Sequence, residues 1–455
     1  MAWWRCNSVR QGWVVTAFVA QSRWLRDENL RLDAGTYANG GLAARDRINN
    51  IADRVLPLDR VARIFSGARF ARTFVVDRDR GTPYLNGTDM LQSDLNGLLL
   101  LSNARTPQIA QLLIQSAWTL MSCSGTIGRT VFVRPEMHRM VGSHDIIRLV
   151  PDDVAVYPGY LFAFLSSAPA QAMIKQRTYG SVVQHIEPHH IADIPVPLMD
   201  DSNQRLIHHL VWDAAEKRTE ASRLIEQACA YFDAFAGEMP SCHDHDFAVG
   251  LVGRRLLDGR LDAFNHIGWA AEGAHLSGTA LGDLARISRP PIVKRTRAER
   301  GVPFLTGTDL YQVRPTFRQR ITRRDAQQAD CLLNEGLILV QRSGQRYGLI
   351  GRPAHVGSRL VGWAASEDLI RVAPTSKDAL ASVFAFLSSS VGRRAVLRTS
   401  YGTSIPHLKP EALSRICIPA LQPTLVKAVG RALVLRNEAD IQEEQAIQEV
   451  ERWLG

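Results

Sequence analysis

A nonapeptide occurs twice in this chain. Residues 81–89 read Gly-Thr-Pro-Tyr-Leu-Asn-Gly-Thr-Asp, and residues 301–309 read Gly-Val-Pro-Phe-Leu-Thr-Gly-Thr-Asp. Further pairs follow at nearly the same offset and in the same order. Residues 161–167 match 383–389, Tyr179-Gly180 matches Tyr401-Gly402, and His185 matches His407. Pro188, Ile194 and Pro197 match Pro410, Ile416 and Pro419. Ser124-Gly125 and Ser343-Gly344 each end an apolar run, 145–151 matches 368–374, and the Arg-Leu-Asp-Ala at 31–34 recurs at 260–263. Chance supplies one such match, not an ordered series, so the chain must fold as two copies of one domain.

Each copy holds about 160 residues, the size of one domain. The division is an N-terminal segment (1–30), a first copy (31–199), a helix (200–238), a linker (239–259), a second copy (260–420) and a second helix (421–455). The helices are read from apolar spacing. Leu206, Leu210, Ala214, Ala221, Leu224, Ala228, Phe232 and Phe235 recur at threes, fours and sevens, as do Val426, Val429, Leu433, Ala446, Val450 and Trp453. Each helix would be about 45–50 Å long. The tails either pack on their own domains or pair antiparallel as a spacer; pairing is expected, because neither has another partner of equal length. Within the copies, apolar runs at 118–121 and 337–340 suggest strands ending in Gly turns, and 159–167 and 380–389 suggest helices. Each copy is therefore expected to be α+β.

The formal net charge is +9, and only six of the 54 basic residues are Lys (175, 217, 294, 377, 409 and 427). Positive charge favours a polyanionic partner, and Arg suits bidentate contacts to phosphate and guanine. Codon bias toward Arg accounts for the same count. The six Cys form no Cys-x-x-Cys pair, and Cys123, Cys331 and Cys417 lie in apolar contexts, as expected of free buried thiols in a reducing cytoplasm. Cys242-His-Asp-His245 lacks a second ligand pair, so no metal site is assigned. No apolar run reaches 18 residues, so no membrane span is expected. Residues 13–20 faintly resemble a signal peptide, but Phe18 spoils the cleavage pattern, and a strand or helix leading into the first copy is expected.

No catalytic residue emerges. There is no phosphate-binding Gly-x-x-x-x-Gly-Lys-Ser/Thr loop, no Asn-Pro-Pro-Tyr/Phe motif of an amino-methyltransferase and no Gly-rich cofactor loop. His185-Ile-Glu187-Pro188 resembles half of a zinc-deaminase signature, but the Cys half is missing and the second copy has Lys409 in place of Glu187. His185 and His407 are read as capping or packing residues; His189, His190, His208 and His209 are read as surface residues.

What the copies share is Gly turns flanked by basic residues. Arg69 and Arg72 precede one nonapeptide, Lys294 and Arg295 the other. Arg129 follows Ser124-Gly125, and Arg342 and Arg346 flank Ser343-Gly344. Lys175 and Arg177 precede Tyr179, and Arg398 precedes Tyr401. Backbone N–H groups in such turns, with Arg or Lys beside them, hold phosphates while neighbouring side chains reach base edges. These residues form the candidate DNA-binding set.

The order Arg-Leu-Asp-Ala, Gly-x-Pro-Tyr/Phe-Leu-x-Gly-Thr-Asp, an apolar run into Ser-Gly, and Tyr-Gly-Ser/Thr, each copy ending in a long helix, resembles the specificity (S) subunits of type I restriction–modification systems, over nearly the whole chain. The resemblance implies two tandem target recognition domains joined by long antiparallel helices, with no catalysis or cofactor of the chain's own. Each domain would read half of a split double-stranded DNA target. The helices would set the spacing and dock two DNA methyltransferase subunits, which bind S-adenosylmethionine; a motor–nuclease restriction subunit is an optional further partner. Leu206, Leu210, Leu224, Phe232, Val429, Leu433 and Val450 are the candidate partner-binding residues. The loops differ between copies: Thr126-Ile127 stands against Gln345-Arg346-Tyr347, and 70–72 against 293–295, so the target would be asymmetric. Two other readings remain open: a stand-alone DNA-modifying enzyme of another type, and a phage-defence scaffold without sequence discrimination.

Overall fold

β-Branched and aliphatic runs between glycine turns recur in both halves, and strands form there. The structure is a computed structural model. It describes residues 20–27, 37, 40–178, 185–235, 276–402 and 404–455, with Val9–Arg10 paired to Trp13–Val14. The Arg-Leu-Asp-Ala tetrapeptides, Tyr179, Gly180, the 239–259 linker and the Cys242–His245 motif lie outside the described residues. The chain divides into two units. The first comprises 1–91, 95–215 and 442–455; the second comprises 92–94 and 216–441.

In the first unit, Ala62–Ser66, Ile146–Pro151, Thr119–Ser122 and Thr130–Phe132 form an antiparallel sheet in that order. A second sheet runs Val141–Gly142, Gly81–Leu85, Leu100–Ser102, Phe74–Val75, with its first pair parallel. Val55–Pro57 pairs with Pro195–Pro197.

The second unit repeats this order. Ala285–Ser288, Leu369–Pro374, Ile338–Gln341 and Pro353–His355 form one sheet. Gln319–Ile321, Arg297–Leu305 and Ala364–Ala365 form another, again with one parallel pair. Thr279–Ala280 pairs with Cys417–Ile418. The duplication read from the sequence thus extends to strand order and strand direction. The strands expected at 118–121 and 337–340 begin one residue later, at Thr119 and Ile338.

The nonapeptide closes the same turn in each unit. Asn86 Oδ1 accepts from the backbone N–H of Thr88 (2.7 Å) and Asp89 (2.9 Å), and Thr306 Oγ1 donates to Asp309 Oδ2 (2.9 Å). These local side-chain bonds end the strand where Gly-Thr-Asp begins. At Gly307 a Cβ would stand 1.8 Å from Gln341 Oε1, so any larger residue would have to displace the end of that side chain.

The cores are built on helices Pro158–Ser166 and Lys377–Ser388. Tyr160 to Leu165 and Val383 to Leu387 are all buried, which explains the recurrent Phe-Ala-Phe-Leu. Lys377–Ser388 and Ser390–Arg398, meeting at 81°, are together apolar enough for a membrane, yet they bury that surface in the second unit's core. Among the described residues no single helix is long and apolar enough to cross a membrane.

The long helices span Asp201–Asp233 and Pro423–Leu454. Their apolar stripes are used inside the chain, which corrects the partner-docking role given to them. Phe232, Val429 and Leu433 are buried in the second unit's core, with Leu224 packed against it. Val450 is buried in the first unit's core, with Leu210 packed against it. Of the seven candidate partner-binding residues only Leu206 is exposed, at 54 %. Periodicity identified the apolar face but not what covers it.

Candidate nucleic-acid interface

Each unit sets an arginine over the aromatic ring of its nonapeptide. In the first unit the Arg72 guanidinium lies 5.4 Å from the Tyr84 ring centroid, and its Nη2 is 3.9 Å from Asp145 Oδ2 and 3.5 Å from His144 Nδ1. Tyr84 is gripped edge-on by Phe70 and Phe74. Burial raises its phenol pKa, opposed by the charge of Arg72. In the second unit Arg295 lies 5.0 Å from the Phe304 centroid and pairs with Glu367 at 2.8 Å. Attraction to the ring holds each guanidinium in place, and each also faces an acid, Asp145 for Arg72 and Glu367 for Arg295. Arg72 and Arg295 are both exposed.

The Ser-Gly turns sit beside these arginines. Asp145 O accepts from Cys123 N–H (3.4 Å), and Asp368 O accepts from Arg342 N–H (2.8 Å). Positive φ at Gly125 (69°) and Gly344 (137°) turns the chain there. The turn is then pinned to the histidine segment: Ser124 bridges His185, and Ser343 bridges His407. Both histidines thus hold β-bridges, in line with a packing role. Tyr401 also bridges His407, and Lys409 Nζ lies 4.7 Å from the Tyr401 centroid. So Ser343, Gly344 and Tyr401, distant in sequence, meet in one place.

The matched acids are answered differently in the two units. Asp145 faces Arg72, whereas Asp368 holds Arg342 Nη1 (3.0 Å), the Ser343 hydroxyl and Gln341 Nε2 (3.3 Å). Arg342 is therefore half-buried and committed to Asp368. Arg346 Nε reaches Ser400 Oγ at 3.5 Å. Arg177 is likewise occupied, with Nη2 2.7 Å from Asp193 Oδ2, which Arg45 shares at 3.0 Å. Arg69, Lys175 and Lys294 are exposed, and Arg129 and Arg398 are half-buried. Gln171 Nε2 donates to Gly128 O (2.8 Å), which packs the first turn against helix Ala168–Gln176 and so near Lys175.

Sequence reading missed two elements of this region. One is a pair of buried arginines at matched sheet positions, Arg148 opposite Phe65 and Arg371 opposite Ser288. Arg148 donates to the carbonyls of Gly142 (2.7 Å), Ile146 (3.1 Å), Ser143 (3.3 Å) and Leu112 (3.4 Å), which ties the two sheets of the first unit together. Burial lowers its pKa to about 10. Alternation along the strand could have flagged an arginine on an apolar face. The other is a cluster of Glu187, His189 and His190, whose ligand atoms lie within 4.8 Å of one another. There the Glu187 carboxylate accepts from His190 N–H, and His190 Nδ1 accepts from Glu187 N–H (3.1 Å). This is a capping box on a short helix, and the second copy has Lys409, Glu411 and Ala412 instead.

Cys331 and Cys229 are buried free thiols, whereas Cys123 and Cys417 are only half-buried. No family model and no curated protein matches the sequence. Solved structures do resemble the chain. An S subunit of a type I restriction-modification system from M. genitalium shares 14% identity, with 89% of this chain and 96% of that one covered and a TM-score of 0.32. The HsdS subunit from Thermoanaerobacter tengcongensis shares 14% identity over 88% and 95%, with a TM-score of 0.28. A chain from a structure on complex assembly and conformational transition of the type I R-M system shares 12% over 88% and 95%, with a TM-score of 0.27. Over most of its length the chain is similar to the S subunits of type I restriction–modification systems, the family its repeated motifs resemble.

Proposed function

We propose that this chain is the DNA-specificity subunit of a type I-like restriction–modification complex, each unit reading one half of a bipartite, asymmetric duplex target. The observation that carries this reading is the doubled constellation: Arg72 over Tyr84 and Arg295 over Phe304, each beside a Ser-Gly turn in a sheet of the same order. A shared scaffold fixes register on the backbone, while the divergent turns at 126–129 and 342–347 supply different base contacts. The chain itself does no chemistry in this reading.

The long helices serve as the ruler. At 33 and 32 residues each is about 50 Å long, more than one duplex turn of about 34–36 Å. Pairing of the helices is supported inside the second unit by Lys217–Glu438 and Arg218–Asp440, both 2.8 Å. Inside the first unit it is supported by Ile207, Val211 and Ala215, which share one cluster with Ala446, Ile447 and Val450. Exposed Leu206, Val434 and Ile441 are the apolar helix positions open to two methyltransferase subunits, which would supply S-adenosylmethionine. A motor–nuclease subunit would complete a restriction complex.

The test is to co-express the chain with a methyltransferase subunit and map methylated sites, then exchange residues 31–199 for the matching span of a relative. A split target that changes in one half only supports the proposal. Methylation by the chain alone with S-adenosylmethionine, or change in both halves, refutes it.

A further inference from the structure

The two units share strand order but not charge. Residues 55–178 carry 13 basic and 9 acidic side chains; the matching span 277–400 carries 20 and 9. Strand register locates four of the second unit's arginines in one segment, where the first unit's match has only Arg105, opposite Asp325. Pro83 pairs with Leu100 in the first unit, and Pro303 pairs with Arg320 in the second. By that register Leu98, Leu99, Leu100, Asn103 and Ala104 stand where the second unit has Arg318, Gln319, Arg320, Arg323 and Arg324. The first unit's ribbon is openly apolar, with Val76 90 %, Leu99 58 % and Phe74 41 % exposed.

We propose that the ribbon of Arg297–Leu305 and Gln319–Ile321, with the turn that follows it, is a phosphate-gripping surface that gives the second unit most of the chain's sequence-independent grip on duplex DNA. This rests on the DNA-reading function proposed above and adds an unequal division of labour between the units. The geometry supports a surface built for a polyanion. Arg320 lies 4.6 Å over the Phe317 ring and donates to Gly301 O (3.0 Å), and Arg297 Nε donates to Gln319 Oε1 (3.4 Å), so the ribbon is braced by its own cations. Thr322 Oγ1 accepts from Asp325 N–H (3.1 Å) and starts helix Arg323–Gln328, which puts Arg323 and Arg324 in its first turn. Cations there oppose the helix dipole, a placement that folding alone disfavours. The nearest acid, Asp325, is engaged by Thr296 N–H (3.1 Å). Arg318, Arg323 and Arg324 are exposed, and among the described residues none forms an ion pair. In the first unit the loop that matches Arg297 to Arg300 alternates Asp77, Arg78, Asp79 and Arg80, with Arg80 paired to Asp77 at 3.3 Å.

The experiment measures affinity of the full chain for a labelled duplex of arbitrary sequence between about 50 and 200 mM salt. Each phosphate contact adds about 0.9 to the log–log salt slope. The variant Arg318→Gln/Arg323→Gln/Arg324→Gln should reduce the slope by about 2–3, and Arg78→Gln/Arg80→Gln by less than about 1. Placing three cations on exposed positions of the first unit's ribbon (Leu99→Arg, matched to Gln319, with Asn103→Arg and Ala104→Arg, matched to Arg323 and Arg324) should raise it by about 2–3, and this arm decides the matter if the first variant fails to fold. An unchanged slope in the ribbon variant and in the graft, or equal losses from the two glutamine variants, overturns the unequal division while leaving DNA reading intact. A wild-type chain with no salt-dependent duplex binding overturns both.

Discussion

Deleting residues 442–455 should unfold the first unit and leave the second folded. The segment ends the second long helix, yet its apolar side chains belong to the first unit's core. Ile447, Val450 and Leu454 are buried there, and Trp453 packs beside them. At about 1.5–3 kcal/mol per fully buried side chain, the three contribute about 5–9 kcal/mol. The stability of a whole domain is about 5–15 kcal/mol, so the deletion removes most of the margin. Two bonds go as well: Glu451 Oε1 accepts from Ala168 N–H (2.6 Å), and Gly455 O accepts from Arg47 (2.8 Å). The second unit keeps 423–441 and with it Val429, Ala432 and Leu433. Hydrogen exchange read by mass spectrometry separates the two. Strand Ile146–Pro151 should lose its protection while Leu369–Pro374 keeps it. Unchanged protection of Ile146–Pro151 would refute the reasoning, because the chain's end would then contribute nothing to that core.

Two further outcomes follow from buried polar groups. Arg148→Met leaves four carbonyls without their donor, and should destabilise the first unit by about 2–5 kcal/mol in denaturant titration; a neutral result would mean the guanidinium is dispensable. Burial, reinforced by Arg436, pushes the His355 imidazole down to about 4, from 6.5 when unfolded. The unfolded state therefore binds a proton first as pH falls. Stability is full above about pH 6.5, and about 3 kcal/mol is lost as pH drops toward 4. His355→Gln should flatten that dependence in the second unit's unfolding midpoint, and an unaltered pH slope would contradict the assignment.

The repeat was the most legible feature, because duplicated turn chemistry survives where other positions drift. The α+β class and both long helices followed from spacing alone. What covers each apolar stripe did not, since 3.6-residue periodicity marks a face and says nothing of its neighbour. Phe232, edge-on to Phe386 at 5.4 Å, was open to a partner by pattern and is closed by the fold. The fate of Arg342 depends on Asp368, and that of Arg177 on Asp193, both pairings set by tertiary contacts. Arg148 reads as a surface cation until strand register puts it between Phe65 and Leu120. The arginine ribbon at 318–324 was visible as sequence, but its match to Leu98–Ala104 needed the pairing of Pro303 with Arg320.

The central claim is that each unit reads its own half-site through a stacked arginine. Selection of bound sequences from a random duplex library, with the wild-type chain and with Arg72→Gln and Arg295→Gln, tests it directly. The account predicts a split motif with fixed spacing for the wild type, with Arg72→Gln relaxing one half and Arg295→Gln the other, by about 1–3 kcal/mol at the affected base. A single contiguous motif, no enriched motif, or either substitution altering both halves would contradict it.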